Sequence, residues 1–304
     1  MNVEERALAL PCNDSWLYGI LSLPEPTVSR GLLIVVGGPQ YRVGSHRQFT
    51  LLARHLAAQG VPVLRFDCRG MGDSEGTMRT FEDFGDDLCC AIDRFFEEVP
   101  ILSDLVIWGL CDAASAALFY AYRDRRVAGL VLLNPWIRTD EGAARVYLKH
   151  YYRARLFEPA FWNKIWRGNF NYAAAAQSFS KTIGEAFAGK EKTATTAKDM
   201  KGAGAVAAVA VAAAGDRSCE LASLPHRMFY GLSHFKGKVL LIISGNDLTA
   251  QEFSDMVKGS REWQKLLASP RVTRLDLPGA NHTFSRREWR DQVTVWTKEW
   301  IQSW

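Results

Sequence analysis

The chain of 304 residues contains no apolar run long enough to cross a bilayer. Its longest bland stretch, 202–215, is too short and too rich in Ala and Gly to do so. The first residues, Met-Asn-Val-Glu-Glu-Arg, lack the basic start and apolar core of a secretory signal, so the cytoplasm is the expected compartment. Cysteine pairing is missing as well. The six cysteines (Cys12, Cys68, Cys89, Cys90, Cys111 and Cys219) include no CxxC pair and no metal spacing, which points to free thiols in a reducing setting. His150, His226 and His234 have no partners at metal spacing, so no metal is expected. Charge of one sign is also scarce. The 37 basic residues against 33 acidic ones leave +4, too little to argue for nucleic acid. The Gly-rich segment 70–76 lacks the Gly-Lys-Ser/Thr ending of a phosphate loop, and 109–117 is no dinucleotide fingerprint. No cofactor is expected.

What is present is an alternation. Residues 6–10 and 16–23 alternate in polarity around a turn cluster and read as an antiparallel hairpin. Buried strands are then expected at 31–36, 62–67, 105–108 and 127–133, with helices over 47–59, 81–99 and 112–122 between them. Strands and helices at this spacing predict a mainly parallel sheet covered on both faces, an α/β fold. The alternation stops at 139 and resumes with a strand at 238–244, a helix at 250–267, a strand at 272–277 and a closing helix at 286–304. In that helix Trp289, Val293, Trp296 and Trp300 share one face. The expected organisation is a core of 1–138 and 235–304 with an insertion at 139–234. Within the insertion, 186–215 is of low complexity and expected to be poorly ordered.

The stretch on which the rest turns is 104–119. An apolar strand runs straight into an Ala-rich helix, with almost no room for a loop. Such a turn forces its residue, Cys111, into strained backbone geometry and lifts the side chain out at the strand's C-terminal end. The helix N-terminus beside it offers unpaired N–H groups that favour a thiolate and a neighbouring oxyanion. By itself a cysteine at a strand end is more often a small buried hydrophobe.

Two further side chains fall just past the ends of parallel strands. Asp247 follows the strand at 238–244, and His282 follows the one at 272–277. Chemistry in open α/β sheets gathers at that edge. Cys111, Asp247 and His282, in the chain order nucleophile, acid, base, fit a catalytic triad. Alone, His282 reads as a surface histidine and Asp247 as a turn residue. Asp140 is a fallback acid. An oxyanion site needs two N–H donors. One is that of Asp112. The other comes from the loop Gly37-Gly38-Pro39-Gln40, where proline has none, so Gln40 or Gly38 must donate, with Gln40 favoured.

These features, with Asp-x-Arg-Gly-x-Gly-x-Ser at 67–74, resemble the α/β-hydrolase superfamily over residues 1–138 and 235–304. The resemblance implies an α/β-hydrolase fold with an eight-stranded sheet and a helical cap inserted after the sixth strand. More narrowly, segments 36–49 and 244–253 and the Cys-Asp-Ala elbow resemble the exosortase A system-associated hydrolases, a bacterial group encoded near exopolysaccharide genes. The usual Gly-x-Ser-x-Gly elbow is here Gly109-x-Cys111-x-Ala113, and Ala113 adds a Cβ where strand and helix pack closely. Cysteine elbows are found in dienelactone hydrolases of the superfamily.

The expected function is cleavage of a small-molecule ester or thioester through an acyl-cysteine intermediate. Tyr147, Tyr151, Phe157 and Trp162, in the aromatic and basic stretch 145–167, are expected to line an acyl pocket. A helix lying on a membrane surface, or a docking site for a partner protein, are the other readings of that stretch. An acyltransferase acting on a sugar or lipid hydroxyl is the second functional reading, and an inactive hydrolase-fold scaffold the third.

Overall fold

A computed structural model describes residues 2–38, 40–137 and 222–304. The compact unit to which these belong comprises residues 1–137 and 222–304, and 138–221 form a second unit outside the described residues. The expected pocket residues Tyr147, Tyr151, Phe157 and Trp162 and the fallback Asp140 lie outside the described residues too.

The hairpin is longer than its alternating cores suggested. β1 (Asn2–Cys12) pairs antiparallel with β2 (Ser15–Glu25), and Asn13 turns the chain in the left-handed region at φ 52°. The parallel strands are β3 (Arg30–Val35), β4 (Val63–Phe66), β5 (Asp104–Leu110), β6 (Val127–Leu133), β7 (Lys238–Asn246) and β8 (Val272–Asn281). They form one eight-stranded sheet in the order β1-β2-β4-β3-β5-β6-β7-β8, in which β2 meets β4 antiparallel and every later neighbour is parallel.

Side-chain alternation explains why the central strands are apolar without interruption. In β5, Leu105 and Ile107 enter one core while Val106, Trp108 and Leu110 enter the other. β3 divides in the same way, with Leu33 and Val35 on the first face and Leu32 and Ile34 on the second. A strand buried on both faces has no position left for a polar residue. The second face is covered by α1 (Gln48–Ala57) and α7 (Arg287–Gln302), through Phe49, Leu52, Leu56, Val293 and Trp300. Phe49 meets Trp108 edge to face, with centroids 5.5 Å apart. The closing helix does turn its apolar stripe inward, Trp289 and Trp296 packing partly buried against the same core. The first face carries α2 (Gly85–Glu98), α3 (Asp112–Tyr120), α4 (Leu224–His234), α5 (Leu248–Gly259) and α6 (Arg261–Leu267).

Two expectations are corrected. Residues 224–234 were assigned to the insertion, yet they form α4, whose Met228 and Leu232 are buried in the core beneath the sheet. Tyr230 packs edge to face on Tyr122 at 5.5 Å, and the Arg227 guanidinium lies 4.2 Å from the Phe119 ring, so the helix belongs with α3. The single helix expected at 250–267 is two. Ser260 is extended (φ −125°, ψ 119°) and its hydroxyl accepts the Trp263 N–H at 3.3 Å, capping a new helix just after Gly259.

Phe95 of α2 is fully buried, and its ring lies over Gly31 of β3, where an added Cβ would stand 2.8 Å from it. Phe95→Ala leaves a cavity that the rigid sheet cannot fill. It is expected to cost about 3–5 kcal/mol, read as a lower urea midpoint at unchanged slope. A loss below about 1 kcal/mol would contradict this packing.

Candidate active site

β5 ends at Leu110 and α3 begins at Asp112, so Cys111 alone makes the turn. Its backbone sits at φ 63°, ψ −121°, a region that costs a side-chain-bearing residue about 1–3 kcal/mol. Four backbone hydrogen bonds hold it there. Cys111 N–H donates to Leu133 O at 2.8 Å, while Cys111 O accepts from Ala114 at 3.1 Å, Ser115 at 3.3 Å and Trp136 at 3.1 Å. The Ser115 hydroxyl adds a bond to Trp136 O at 2.7 Å, tying the helix to the chain after β6. Gly109 makes the sharp reversal possible, because a Cβ there would lie 2.7 Å from the Ala113 backbone. Ala113 itself is accommodated: its methyl is buried in the core of the first face.

Asp247 follows β7 and caps α5, accepting Thr249 N–H on Oδ1 at 3.1 Å and Ala250 N–H on Oδ2 at 3.2 Å. Those bonds fix the carboxylate for a third donor, Nδ1 of His282 at 2.8 Å. A carboxylate only accepts, so Nδ1 carries the proton in this bond. On the other side of the imidazole, the Cys111 side chain lies near enough to add to the rise of the His282 pKa. Asp247 and His282 are joined by a hydrogen bond at the C-terminal edge of the sheet, where Cys111 makes the elbow after β5.

The bond to Asp247, and after it the nearness of Cys111, push the His282 pKa up to about 10 against the opposing effect of burial, a rise that favours the protonated imidazole. Because the folded value lies above the ordinary 6.5, its contribution to stability is complete below about pH 6.5 and is lost as pH rises through about 10.

Asn134 is not among the site residues that the sequence suggests. It is fully buried just after β6, in the left-handed region at φ 44°. Its Nδ2 donates to His282 O at 3.2 Å and its Oδ1 accepts Ser244 N–H at 2.9 Å. One side chain thereby joins β7 to the histidine loop. Below that loop, Asn281 Oδ1 accepts Ser285 N–H at 3.0 Å and Phe284 turns the chain at φ 50°. An asparagine before proline after an apolar strand was the available signal, but it reads equally well as a turn.

Of the two second donors weighed for the oxyanion, Gly38 is the one whose N–H reaches the elbow. It donates to Oδ2 of the Asp112 side chain at 2.6 Å. Gln40 lies further along the loop, where its Oε1 accepts the Ser45 hydroxyl at 3.3 Å. The loop is pinned from below by buried Asp67, which accepts the Arg42 backbone N–H at 2.6 Å and pairs with the Arg42 guanidinium. Arg69 pairs with buried Asp87, and Ser74 Oγ donates to Asp67 O at 2.7 Å. The motif at 67–74 is accordingly a clamp that holds the loop after β3.

Asp247→Asn removes the charge that raises the His282 pKa. In histidine proton NMR, His282 of the wild type is expected to stay protonated through pH 8 and titrate near 10, whereas the variant titrates at clearly lower pH. Equal midpoints would contradict the coupling.

Comparison with known proteins bears on this geometry. A model of the alpha/beta hydrolase family matches residues 32–293. An esterase from Pyrococcus furiosus, Pf2001, superposes with a TM-score of 0.63 at 17% identity, over 99% of this chain and 93% of that one. A dienelactone hydrolase from Anabaena variabilis gives 0.59 at 15% identity, over 100% and 99%. Est1E from Butyrivibrio proteoclasticus, solved with ferulic acid, gives 0.57 at 16%, over 97% and 98%. At these identities the likeness is one of fold. In sequence, a polyketide transferase from a Penicillium species, grgF, is 27% identical over 127 residues, a match spanning 40% of this chain and 40% of that protein. With the family model covering most of its length and the fold in agreement, the chain belongs to the alpha/beta hydrolase family.

Proposed function

We propose that the protein cleaves an ester or thioester through an acyl-cysteine intermediate. The single observation that carries this reading is the hydrogen-bonded His282–Asp247 pair at the sheet edge that also carries the strained Cys111 elbow. In the first half-reaction, Sγ of Cys111, as a thiolate whose proton rests on His282, attacks the carbonyl carbon and the C=O π pair moves onto oxygen. The N–H of Asp112, at the open end of α3, faces the growing negative charge. When the adduct collapses, the bond to the leaving group breaks and that group takes the proton held on His282 Nε2. The acyl group remains on sulfur as a thioester. In the second half-reaction water adds while Nε2 accepts its proton, and Sγ departs. Asp247 keeps the imidazole oriented and balances its charge throughout. Resemblance to the exosortase-associated group supports a link of this activity to exopolysaccharide biosynthesis, in the cytoplasm.

One observation favours a second reading. The local likeness to a polyketide transferase suggests that a sugar or lipid hydroxyl takes the place of water, so that the acyl group is transferred. Product analysis with and without added alcohol separates the two. A Cys111 thiol that reacts with iodoacetamide no faster at pH 6–7 than an ordinary cysteine would instead describe a scaffold.

Cys111→Ala is expected to lower kcat for p-nitrophenyl acetate by about 10³-fold or more, with the fold unchanged by circular dichroism. Turnover at the wild-type rate would overturn the assignment.

A further inference from the structure

The residue after the nucleophile does more than offer an N–H. Its side chain turns back along the loop after β3, and Oδ2 receives the Gly38 N–H at 2.6 Å. Oδ1 accepts Ala113 N–H at 3.0 Å and lies against Gly37, where a Cβ would stand 1.9 Å from it. Gly37 therefore leaves open the space that this carboxyl fills. The group is half-buried, and burial pushes its pKa up despite the N–H bonds and the nearby His282 cation. The titratable groups around it among the described residues are His282 after β8, Cys111 at the elbow and buried Cys68 after β4.

The geometry points to Asp112 as a gate on the oxyanion site: its carboxylate occupies the Gly38 N–H, and must be protonated or swing away before a substrate's carbonyl oxygen can use that donor. This rests on the acyl-cysteine reading above. The conflict is one of charge and of number. When Sγ bonds to the carbonyl carbon, the π pair places a negative charge on oxygen, next to a negative carboxylate that competes for the same N–H. A neutral carboxyl repels that oxygen less and releases the donor more readily. The same negative charge disfavours acyl groups that are themselves anionic beside the carbonyl, so uncharged acyl esters and thioesters are the substrate class that fits.

The test compares two reactions of one sulfur. Acylation by p-nitrophenyl acetate builds an oxyanion. Alkylation by iodoacetamide displaces iodide from a saturated carbon and builds none. Both rates are measured at Cys111, by the p-nitrophenol burst and by peptide mass mapping, from pH 5 to 9. The quotient of acylation over alkylation cancels effects on the thiol itself. Asp112→Ala is expected to raise that quotient about tenfold or more at pH 8. In the wild type the quotient rises as pH falls and the carboxyl protonates, whereas in the variant it is flat. Asp112→Asn, which keeps the shape without the charge, is expected to be flat and intermediate. A quotient unchanged or lowered in both variants overturns the gate, and a raised quotient in the variants beside a pH-independent wild type supports it through the swing of the side chain. Cys111→Ala run in parallel keeps the two ideas apart. A dead Cys111→Ala beside an unchanged quotient overturns the gate alone, while an active one overturns the acyl-cysteine reading.

Discussion

The site depends on the backbone of one residue held where side chains rarely go. Cys111 is placed at φ 63° by bonds that come from three directions: β6 through Leu133 O, the first turn of α3 through Ala114 and Ser115, and the chain beyond β6 through Trp136. None of these can relax independently, because β5 and β6 are locked in register along the centre of the sheet. The strain of about 1–3 kcal/mol is a small fraction of what the two buried cores supply, so the fold carries it easily. The same turn that exposes the sulfur aims the open N–H groups of α3 at the space beside it. Position and electrostatics thus arise from a single backbone event.

The remaining groups are positioned by the neighbouring strands. Asp247 is at once the cap of α5 and the partner of His282, so the carboxylate that orients the base is itself immobilised by two backbone donors. Asn134 stitches β7 to the histidine loop, and the Arg42–Asp67 pair clamps the loop after β3. Each loop at this edge of the sheet is fastened by a buried polar side chain with its bonds made, which is the condition under which burying one does not destabilise.

Much of the fold was legible because burial on both faces imprints continuous apolar runs on β3, β5, β6 and β7 and period-3.6 stripes on α2 and α7. The elbow was legible for a different reason: a strand and a helix with one residue between them leave little conformational choice. Chain order then placed Asp247 and His282 at neighbouring strand ends. What escaped was set by side-chain direction. That α4 packs on α3 depends on Met228 and Leu232 facing inward, and a short helix after a low-complexity stretch does not announce its partner. The break at Ser260 is a local event, a single serine cap between a helix of 12 residues and one of 7. Asn134 looked like a turn. The Asp112 carboxylate could not be read at all, since spacing locates its N–H but says nothing of where the side chain folds.

The central claim is covalent: acyl groups pass through the sulfur of the elbow. The direct measurement is intact-mass analysis of the protein quenched in acid within the burst with p-nitrophenyl acetate, followed by peptide mapping. The account predicts one added acetyl group, located on Cys111 and released by neutral hydroxylamine as a thioester is. Steady ester turnover with no adduct on Cys111, or with the acetyl group on another residue, would contradict it.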